Sequence, residues 1–296
     1  MSYYRNLVKG QWQIGDLVFG HGTNILVNST EVAAADVNGQ DYQMARSDSK
    51  NFGFDQLVPT TIQFDLSVLH NYLLPGNEEM IPNFWHSMPT IEDLANEWGA
   101  DDVRNKWGEM KPIYHRSRLD DIPKVIYGRP GSFQYRMDDE YNRGEVMNVV
   151  AEFRRGDTLA YGIQEKRATI TAEEPEITIN GHSGKAPTPM RILLVGPIEH
   201  PIVTLTNLWN QSESVVVELD YDVDEGEVVE ISGYPWSRRV VSSTGEALPR
   251  YLIGDSPYLD KLYFNFNAVV HIDVVASHAD ENTRVHVLFR DAYRVI

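Results

Sequence analysis

The sequence predicts a mainly β protein made of two β-sandwich domains, and three patterns support that prediction. Short runs rich in β-branched and aromatic residues recur along the chain between turn residues. In Thr61–Val68, apolar side chains alternate with polar ones, which is the period of a half-buried strand. The segment Ile192–Asn207 joins two β-branched runs through Gly196-Pro197 and His200-Pro201, which are turn-forming pairs. A new β domain therefore opens past the middle of the chain.

The composition fits two globular domains without a metal-thiolate or disulfide framework. The chain has 296 residues, of which 42% are hydrophobic and 23% charged, and it has no cysteine. The formal net charge of -17 argues against tight binding of nucleic acid, because phosphate contacts need clustered Lys and Arg. We find no apolar stretch of signal-peptide type or of membrane-spanning length, so we expect synthesis and folding in a cytoplasm and no membrane partner.

The first domain, residues 1–165, is predicted to be built of short strands around a helical insertion. The helix signal begins with Thr90 and Asp93, which make a capping pair before an apolar run. Apolar residues then follow at helical spacing, Gly99 is the expected stop, and Trp107 extends a second helical turn. We predict a helix near 91–107 that packs on a sheet, in preference to a cofactor-binding segment. The predicted strands are Trp12–Phe19, Ile25–Asn28, Thr61–Val68, Lys124–Tyr127, Ser132–Met137 and Val146–Arg154, with a charged hairpin tip at 138–144.

The second domain, residues 166–296, is predicted to be a lectin-like or jelly-roll-like β-sandwich. Its boundary is placed in Gly156–Pro175, where the density of apolar residues falls. No convincing helix follows, and many short strands of even spacing are typical of a sandwich. The last two strands are predicted to form a hairpin. The predicted strands are Ile177–Asn180, Met190–Val195, Ile202–Asn207, Val215–Leu219, Val228–Ser232, Arg239–Ser242, Leu262–Phe266, Val269–Val275 and Arg284–Phe289.

One metal-binding hypothesis arises on that hairpin. His271, Asp273 and His286 would share its outward face, and two histidines with one carboxylate match a facial iron triad. The same face would carry Arg284 and Arg290, and cations beside a metal are unfavourable. An exposed Asp273–His286 cross-strand pair is therefore preferred. The three residues stay a weak candidate only, and neither a metal nor a cofactor is predicted.

Other segments resemble known binding or catalytic motifs but lack a residue that the motif requires. Asp220, Asp222 and Asp224 begin like a calcium loop, but Glu225 stands where that loop needs glycine. The run Gly181–Lys185 fits neither a phosphate loop nor a nucleophile elbow. Trp209 and Trp236 are candidates for stacking on a sugar ring or for anchoring a core or an interface. No catalytic set emerges, so we do not predict an enzyme.

The layout resembles the distal tail proteins of long-tailed phages, a siphovirus tail-component family whose members are often labelled minor tail proteins. In the first half, the resemblance lies in Asp36–Val68 and in Ala151–Gly162, where Thr158 replaces the family's usual proline. In the second half it lies in the Gly-x-x-x-x-Pro strand pair GPIEHPIVTLTN and in the segments Glu225–Ser232, Ser242–Asn267 and FRDAYRVI. The family commonly has Pro-Gly-Asn where this chain has Asn265-Phe266-Asn267.

The resemblance implies a structural role without catalysis. A hexameric ring at the virion's tail tip would join the tail tube to the tail-tip hub or baseplate, with the N-terminal domains forming the ring. Its partners would be the tail tube protein, the tape-measure protein and the hub or tail-associated lysin. DNA would pass through the lumen without specific binding. A carbohydrate- or receptor-binding module of the tail tip is the alternative, and an iron enzyme using His271, Asp273 and His286 is the third reading.

Overall fold

The computed structural model describes residues 4–32, 36–39, 42–43, 50–51, 55–69, 90–119, 121–136, 146–179, 184–210, 213–265 and 269–294. Their secondary structure is mainly β, which confirms the predicted fold class. The chain divides into two compact units, one reaching to Thr158 and the other starting at Leu159. We call them unit 1 and unit 2. Among the described residues, no helix has the length and apolar character needed to cross a membrane.

Unit 1 contains one continuous antiparallel path of strands. A β-bulge between Pro130 and Phe133 bends strand β10. The first half of β10 pairs with β9 and its second half with β11. The order along the path is β2-β1-β9-β10-β11-β8-β3, and the pairs β4–β7 and β5–β6 stand apart from it. The elements are β1 (Gln11–Ile14), β2 (Leu17–Gly20), β3 (Ile25–Val32), β4 (Asp36–Gly39), β5 (Tyr42–Gln43), β6 (Lys50–Asn51), β7 (Asp55–Val58), β8 (Thr61–Leu69), α1 (Ile91–Gly99), α2 (Asp101–Arg104), β9 (Lys111–Arg116), β10 (Pro123–Arg136) and β11 (Val146–Arg155).

The two ends of this path pack face to face around an aromatic core. Trp12 of β1 and Phe19 of β2 both meet Phe64 of β8 edge-on, with ring centroids 4.9 Å and 5.7 Å apart. In β8, buried residues alternate with exposed or half-buried ones along the whole strand, as the period of two predicted. Unit 1 is therefore a β-sandwich. The predicted hairpin tip at 138–144 lies outside the described residues.

The helical insertion is confirmed in its first part. Thr90 and Asp93 form the predicted capping box, and Leu94 and Trp98 are buried. Helix α1 ends at Gly99, but it is Ala100, at φ 51°, that adopts the left-handed conformation and turns the chain into the short α2. The expected second helical turn through Trp107 is wrong, because α2 stops at Arg104 and the Trp107 side chain is fully exposed.

Unit 2 is a sandwich of two sheets. One has the strand order β19-β18-β14-β24-β12, and the other has the order β13-β22-β16-β17-β20. The elements are β12 (Ala160–Thr171), β13 (Glu176–Ile179), β14 (Thr188–Val195), β15 (Ile198–Glu199), β16 (Ile202–Asn207), β17 (Ser214–Leu219), β18 (Val228–Ser232), β19 (Arg239–Ser242), β20 (Leu252–Ile253), β21 (Tyr263–Phe264), β22 (Val270–Val275), β23 (His278–Ala279) and β24 (Arg284–Tyr293), with 3-10 turns at Pro249–Tyr251 and Leu259–Lys261.

Both sheets contribute to one apolar core. Ile192 of β14 and Val287 of β24 come from the first sheet, and Leu205 of β16 and Ile272 of β22 come from the second. The Gly-x-x-x-x-Pro corner carries the chain from β14 in one sheet to β16 in the other. Glycine is needed there, because a Cβ on Gly196 would lie 2.1 Å from the backbone oxygen of Asp224. The predicted sandwich is confirmed.

Two predictions about unit 2 are corrected by the strand pairing. The chain divides between Thr158 and Leu159, inside the segment Gly156–Pro175 where the boundary was predicted, but most of that segment is the long strand β12 and not exposed chain, and residue 165 lies within this strand. A bulge between Tyr161 and Glu165 interrupts its alternation and hides the strand in the sequence. The expected terminal hairpin is wrong as well, since β22 pairs with β13 and β16 whereas β24 pairs with β12 and β14.

Candidate assembly surfaces

Strand β3 presents a free edge in unit 1. Among the described residues β8 is its only partner strand, and β3 is the last member of the path. Its sequence, ILVNSTEV, contains no lysine, arginine or proline, residues that often protect an edge from pairing. A bulge between Val27 and Ser29 interrupts its first half, and from Ser29 to Val32 its pairing with β8 is regular. After the buried Ile25, its side chains are half-buried or exposed, and Val32 at its end is 40% exposed. Such an edge can add a strand from another chain through backbone hydrogen bonds.

The outward face of the same sheet is polar and acidic. Asn28 Nδ2 donates to Ser67 Oγ at 2.8 Å, and Ser67 Oγ donates to Asn148 Oδ1 at 2.9 Å. This ladder crosses β3, β8 and β11. Because side chains two residues apart share one face of a strand, Asp65 lies on the face of Ser67 and Glu152 on that of Asn148. By the same rule Arg154 also lies on this face, which therefore presents carboxylates and amides along its length and one guanidinium at its end.

A second surface lies where β10 bends. A cleft of about 430 Å³ is lined by Trp107, Glu109, Met110, Arg129, Arg154 and Arg155, together with neighbouring glycines, and we call it the Trp107 cleft. Its charged lining consists of three arginines and one glutamate. No ion pair joins Arg129 or Arg154 to a carboxylate within the described part of the chain. The cleft is thus cationic in a chain whose formal net charge is -17.

The walls of the Trp107 cleft are fixed by specific contacts. Arg129 Nε donates to the backbone oxygen of Glu109 at 2.7 Å, and its guanidinium also donates to that of Lys106. Two glycines allow the strands and the loop to approach closely. A Cβ on Gly128 would lie 2.1 Å from the backbone oxygen of Arg154, and one on Gly156 would lie 2.3 Å from Met110 Sδ. The loop that carries Trp107 is therefore held by hydrogen bonds and close packing.

The sequence missed the Trp107 cleft because its residues come from three separate segments. Trp107 stands four residues after the buried Val103, a spacing that also suits a helix. Gly108, at φ +75°, was the available sign that the chain turns there. The sequence alone does not reveal that Arg129 and Arg154 flank that turn.

The structure does not bring the three candidate metal ligands together. His271 and Asp273 lie on β22, whereas His286 lies on β24 in the opposite sheet. His271 Nε2 is 3.5 Å from a carboxylate oxygen of Glu176. The preferred Asp273–His286 cross-strand pair is wrong for the same reason. In the described part of the chain no group of three histidine or acidic side chains is arranged to hold a metal ion.

His286 is instead packed against cations on the outward face of its sheet. It is 8% exposed, and its ring contacts the guanidinium of Arg167 and the hydroxyl of Thr169. Burial lowers the pKa of His286, and the charges of Arg167 and Arg284 lower that pKa further. The neutral imidazole is therefore the form that this site favours.

The other candidate residues named from the sequence have side chains that are either packed within unit 2 or exposed to solvent. Trp236 stacks on Tyr234, with 4.6 Å between ring centroids, so it packs within unit 2. Trp209 is 74% exposed in a turn, where Asn207 Oδ1 accepts its backbone N–H at 2.9 Å. Asp220 and Asp222 lie 2.9 Å and 3.5 Å from the ring nitrogens of His200. Of the rejected Gly181–Lys185 run, only residues 184 and 185 are described.

Comparison with known proteins relates the fold to phage tail components. Neither a family model nor a curated protein matches the sequence. The solved structure of the Dit protein (gp 19.1) of SPP1, described as a paradigm of the hub adsorption apparatus in phages that infect Gram-positive bacteria, is similar over 94% of this chain and 97% of that chain. The TM-score is 0.55 and the sequence identity is 14%.

Two structures of the phage P2 baseplate in its activated conformation also match, one with Ca and one with Sr. Each covers 95% of this chain and 97% of that chain, at 8% and 9% identity and TM-scores of 0.46 and 0.45. These scores are too low to support an argument. The match to SPP1 Dit confirms, at the level of the fold, the resemblance to distal tail proteins that the sequence indicates.

Proposed function

We propose that this protein is a structural component of a phage tail tip, a distal tail protein that joins the tail tube to the hub or baseplate. The observation that carries the proposal is the fold shared with SPP1 Dit over nearly the whole of both chains. At 14% identity the likeness shows the fold, and the assembly surfaces described above add the support that is specific to this chain.

The proposed assembly is a closed ring of six copies. A cyclic ring needs two different, complementary patches on each subunit, so that each copy contacts the next head to tail. The free edge of β3 is suited to one such contact, since its backbone groups can pair across subunits. We assign ring formation to unit 1 and treat the two units as the protein's two domains. The proposed location is the virion's tail tip, after synthesis in the host cytoplasm.

The proposed channel for DNA runs past the outward face of the β3–β8–β11 sheet. Asp65, Glu152 and the Asn28–Ser67–Asn148 ladder would face the DNA without binding it, because like charges repel and the face holds no cluster of basic residues among those described. The remaining proposed partners are the tail tube protein, the tape-measure protein and the hub or tail-associated lysin. No catalytic step is proposed.

Imaging tests the ring directly. The purified protein, alone and mixed with its tail tube protein, would be examined by negative-stain microscopy and native mass spectrometry. We expect closed sixfold rings. The variant Ser29→Lys/Thr30→Lys on β3 should stay dispersed, because lysines on an edge oppose strand pairing. Thr178→Lys on β13, the edge strand of a sheet in unit 2, is the matched control. Monomers of the wild type under both conditions would refute the proposal.

Trp209 supports a second candidate function, a carbohydrate- or receptor-binding module. Its indole is 74% exposed on a turn fixed by Asn207, and an exposed aromatic ring can stack on a sugar. Binding of the whole protein to a glycan array, lost in Trp209→Ala and kept in Tyr258→Ala at another exposed aromatic of unit 2, would establish this function. If the wild type binds no glycan, this candidate is excluded.

A further inference from the structure

We propose that the Trp107 cleft of one copy receives the end of strand β3, with Glu31 and Val32, from the next copy in the ring. This inference rests on the proposed function and names the two surfaces that meet. Its occupant is a second copy of this chain, chosen because its chemistry complements the cleft.

The cleft supplies an aromatic anchor and positive charge. Trp107 is fully exposed, and its loop is held by Arg129 and by the close contact of Met110 with Gly156. Tryptophan and arginine are the residues that most often dominate the binding energy of protein interfaces. Because the backbone of the loop is held, binding through Trp107 does not require a mobile loop to be ordered first. Arg154 is exposed and lines the cleft, and no carboxylate among the described residues forms an ion pair with it.

The end of β3 supplies the matching groups. Glu31 is exposed and carries the strand's only charge, whereas the side chain of Val32, 40% exposed, points to the opposite face of the strand. The Glu31 carboxylate can pair with an arginine of the cleft, and the end of the strand can pack on the exposed indole. Because β3 also has a free backbone edge, the same segment can add strand pairing to the side-chain contacts.

The positions of the two surfaces favour a ring over a two-fold dimer. The cleft lies at the bend of β10 and the end of β11, whereas β3 is separated from β11 by β8 in the order β10-β11-β8-β3. The two patches are different parts of one sheet, so contact between them is head to tail. A head-to-tail contact closes into a ring when its rotation permits, whereas a two-fold dimer would require one patch to meet itself.

A charge swap with native mass spectrometry and mass photometry tests the inference. We expect Arg154→Glu and Glu31→Arg each to raise the protein concentration at which rings dissociate by about tenfold or more. The double variant should recover most of the loss, because the pair is restored with its charges exchanged. Trp107→Ala should weaken the rings by at least as much, whereas Tyr258→Ala, which removes an exposed aromatic side chain from unit 2, should leave them unchanged.

The outcomes separate this inference from the proposed function. If the wild type forms no rings with or without the tube protein, both fail. If rings form and the Trp107 and Arg154 variants dissociate like the wild type, the function stands and the inference fails. If the single variants weaken the rings but the charge swap restores nothing, the end of β3 is not the occupant and the inference is overturned. Circular dichroism of each variant confirms that the fold is intact.

Discussion

The indole Nε1 of Trp98 donates a 2.9 Å hydrogen bond to the backbone oxygen of Glu152. This bond ties helix α1 to strand β11, and the buried Trp98 ring also meets Phe19 and Phe64 edge-on at 6.2 Å and 6.0 Å. One side chain thus attaches the helical insertion to both layers of unit 1. By contrast, Trp107 lies nine residues later with its side chain in solvent.

Replacement of Trp98 should therefore weaken unit 1. We expect Trp98→Ala to lower the free energy of unfolding by about 3–5 kcal/mol, since it removes a large buried ring. Trp98→Phe keeps much of the packing and leaves the Glu152 oxygen without its donor, at a cost of about 1–3 kcal/mol. Urea denaturation measures both. Leu119→Ala, which removes an exposed side chain of unit 1, is the control and should stay within about 0.5 kcal/mol of the wild type; an equal loss at both positions would refute the assignment.

Removal of the N-cap of α1 should have a smaller effect. The side chain of Thr90 accepts a hydrogen bond from the backbone N–H of Asp93 at 3.2 Å, and Asp93 accepts the N–H of Thr90 at 2.7 Å. Thr90→Ala should destabilise unit 1 by about 1 kcal/mol, and Thr90→Ser should retain most of the stability. Differential scanning calorimetry can detect this difference. Indistinguishable melting of the alanine and serine variants would mean that the cap contributes nothing.

Acid should destabilise unit 2 through His286. Its pKa is lowered in the folded state from the ordinary 6.5, so the unfolded chain takes up a proton more readily. The stabilising contribution is thus complete above about pH 6.5 and is lost as the pH falls through that value toward the folded pKa. His286→Gln should lose less stability than the wild type between about pH 7.5 and about pH 5.5. His271→Gln, at a half-buried site beside Glu176, is the control. If the wild type and His286→Gln lose the same free energy of unfolding over this pH range, His286 is not the cause.

The charge of the proposed channel face should affect the release of DNA. In phages that carry Asp65→Lys/Glu152→Lys, we expect DNA ejection triggered in vitro to slow measurably, because a cationic wall binds phosphate. The slowing should diminish at high salt, which screens the attraction. Glu225→Lys in unit 2 is the control with the same kind of charge change. Unchanged ejection kinetics in assembled particles would show that this face does not line the channel.

Local patterns in the sequence were sufficient for most strands and for the start of α1. The alternation in β8, the capping pair Thr90–Asp93 and the corner at Gly196 each specify structure within a few residues. These local patterns do not specify which of the two sheets a strand belongs to. The apolar faces of β22 and β24 point into one core, and that pattern is the same whether two strands are neighbours in a sheet or lie on opposite layers.

The candidate surfaces were less predictable than the fold because they depend on topology. The sequence shows that Ile25–Val32 can be a strand, whereas only the strand order shows that β3 ends the sheet. The Trp107 cleft requires that the loop after α2, the bend of β10 and the end of β11 meet in space. Contacts between such distant segments leave no periodic signal for a reader of the sequence to find.

The bend of β10 has a mechanical consequence. A single backbone provides hydrogen-bonded partners to β9 with its first half and to β11 with its second half. Opening either layer of unit 1 therefore breaks backbone hydrogen bonds of β10, the strand that both layers share. The amide protons of both layers should therefore exchange with solvent in one concerted event. A mechanical force applied to one layer is also transmitted to the other through the continuous backbone of β10.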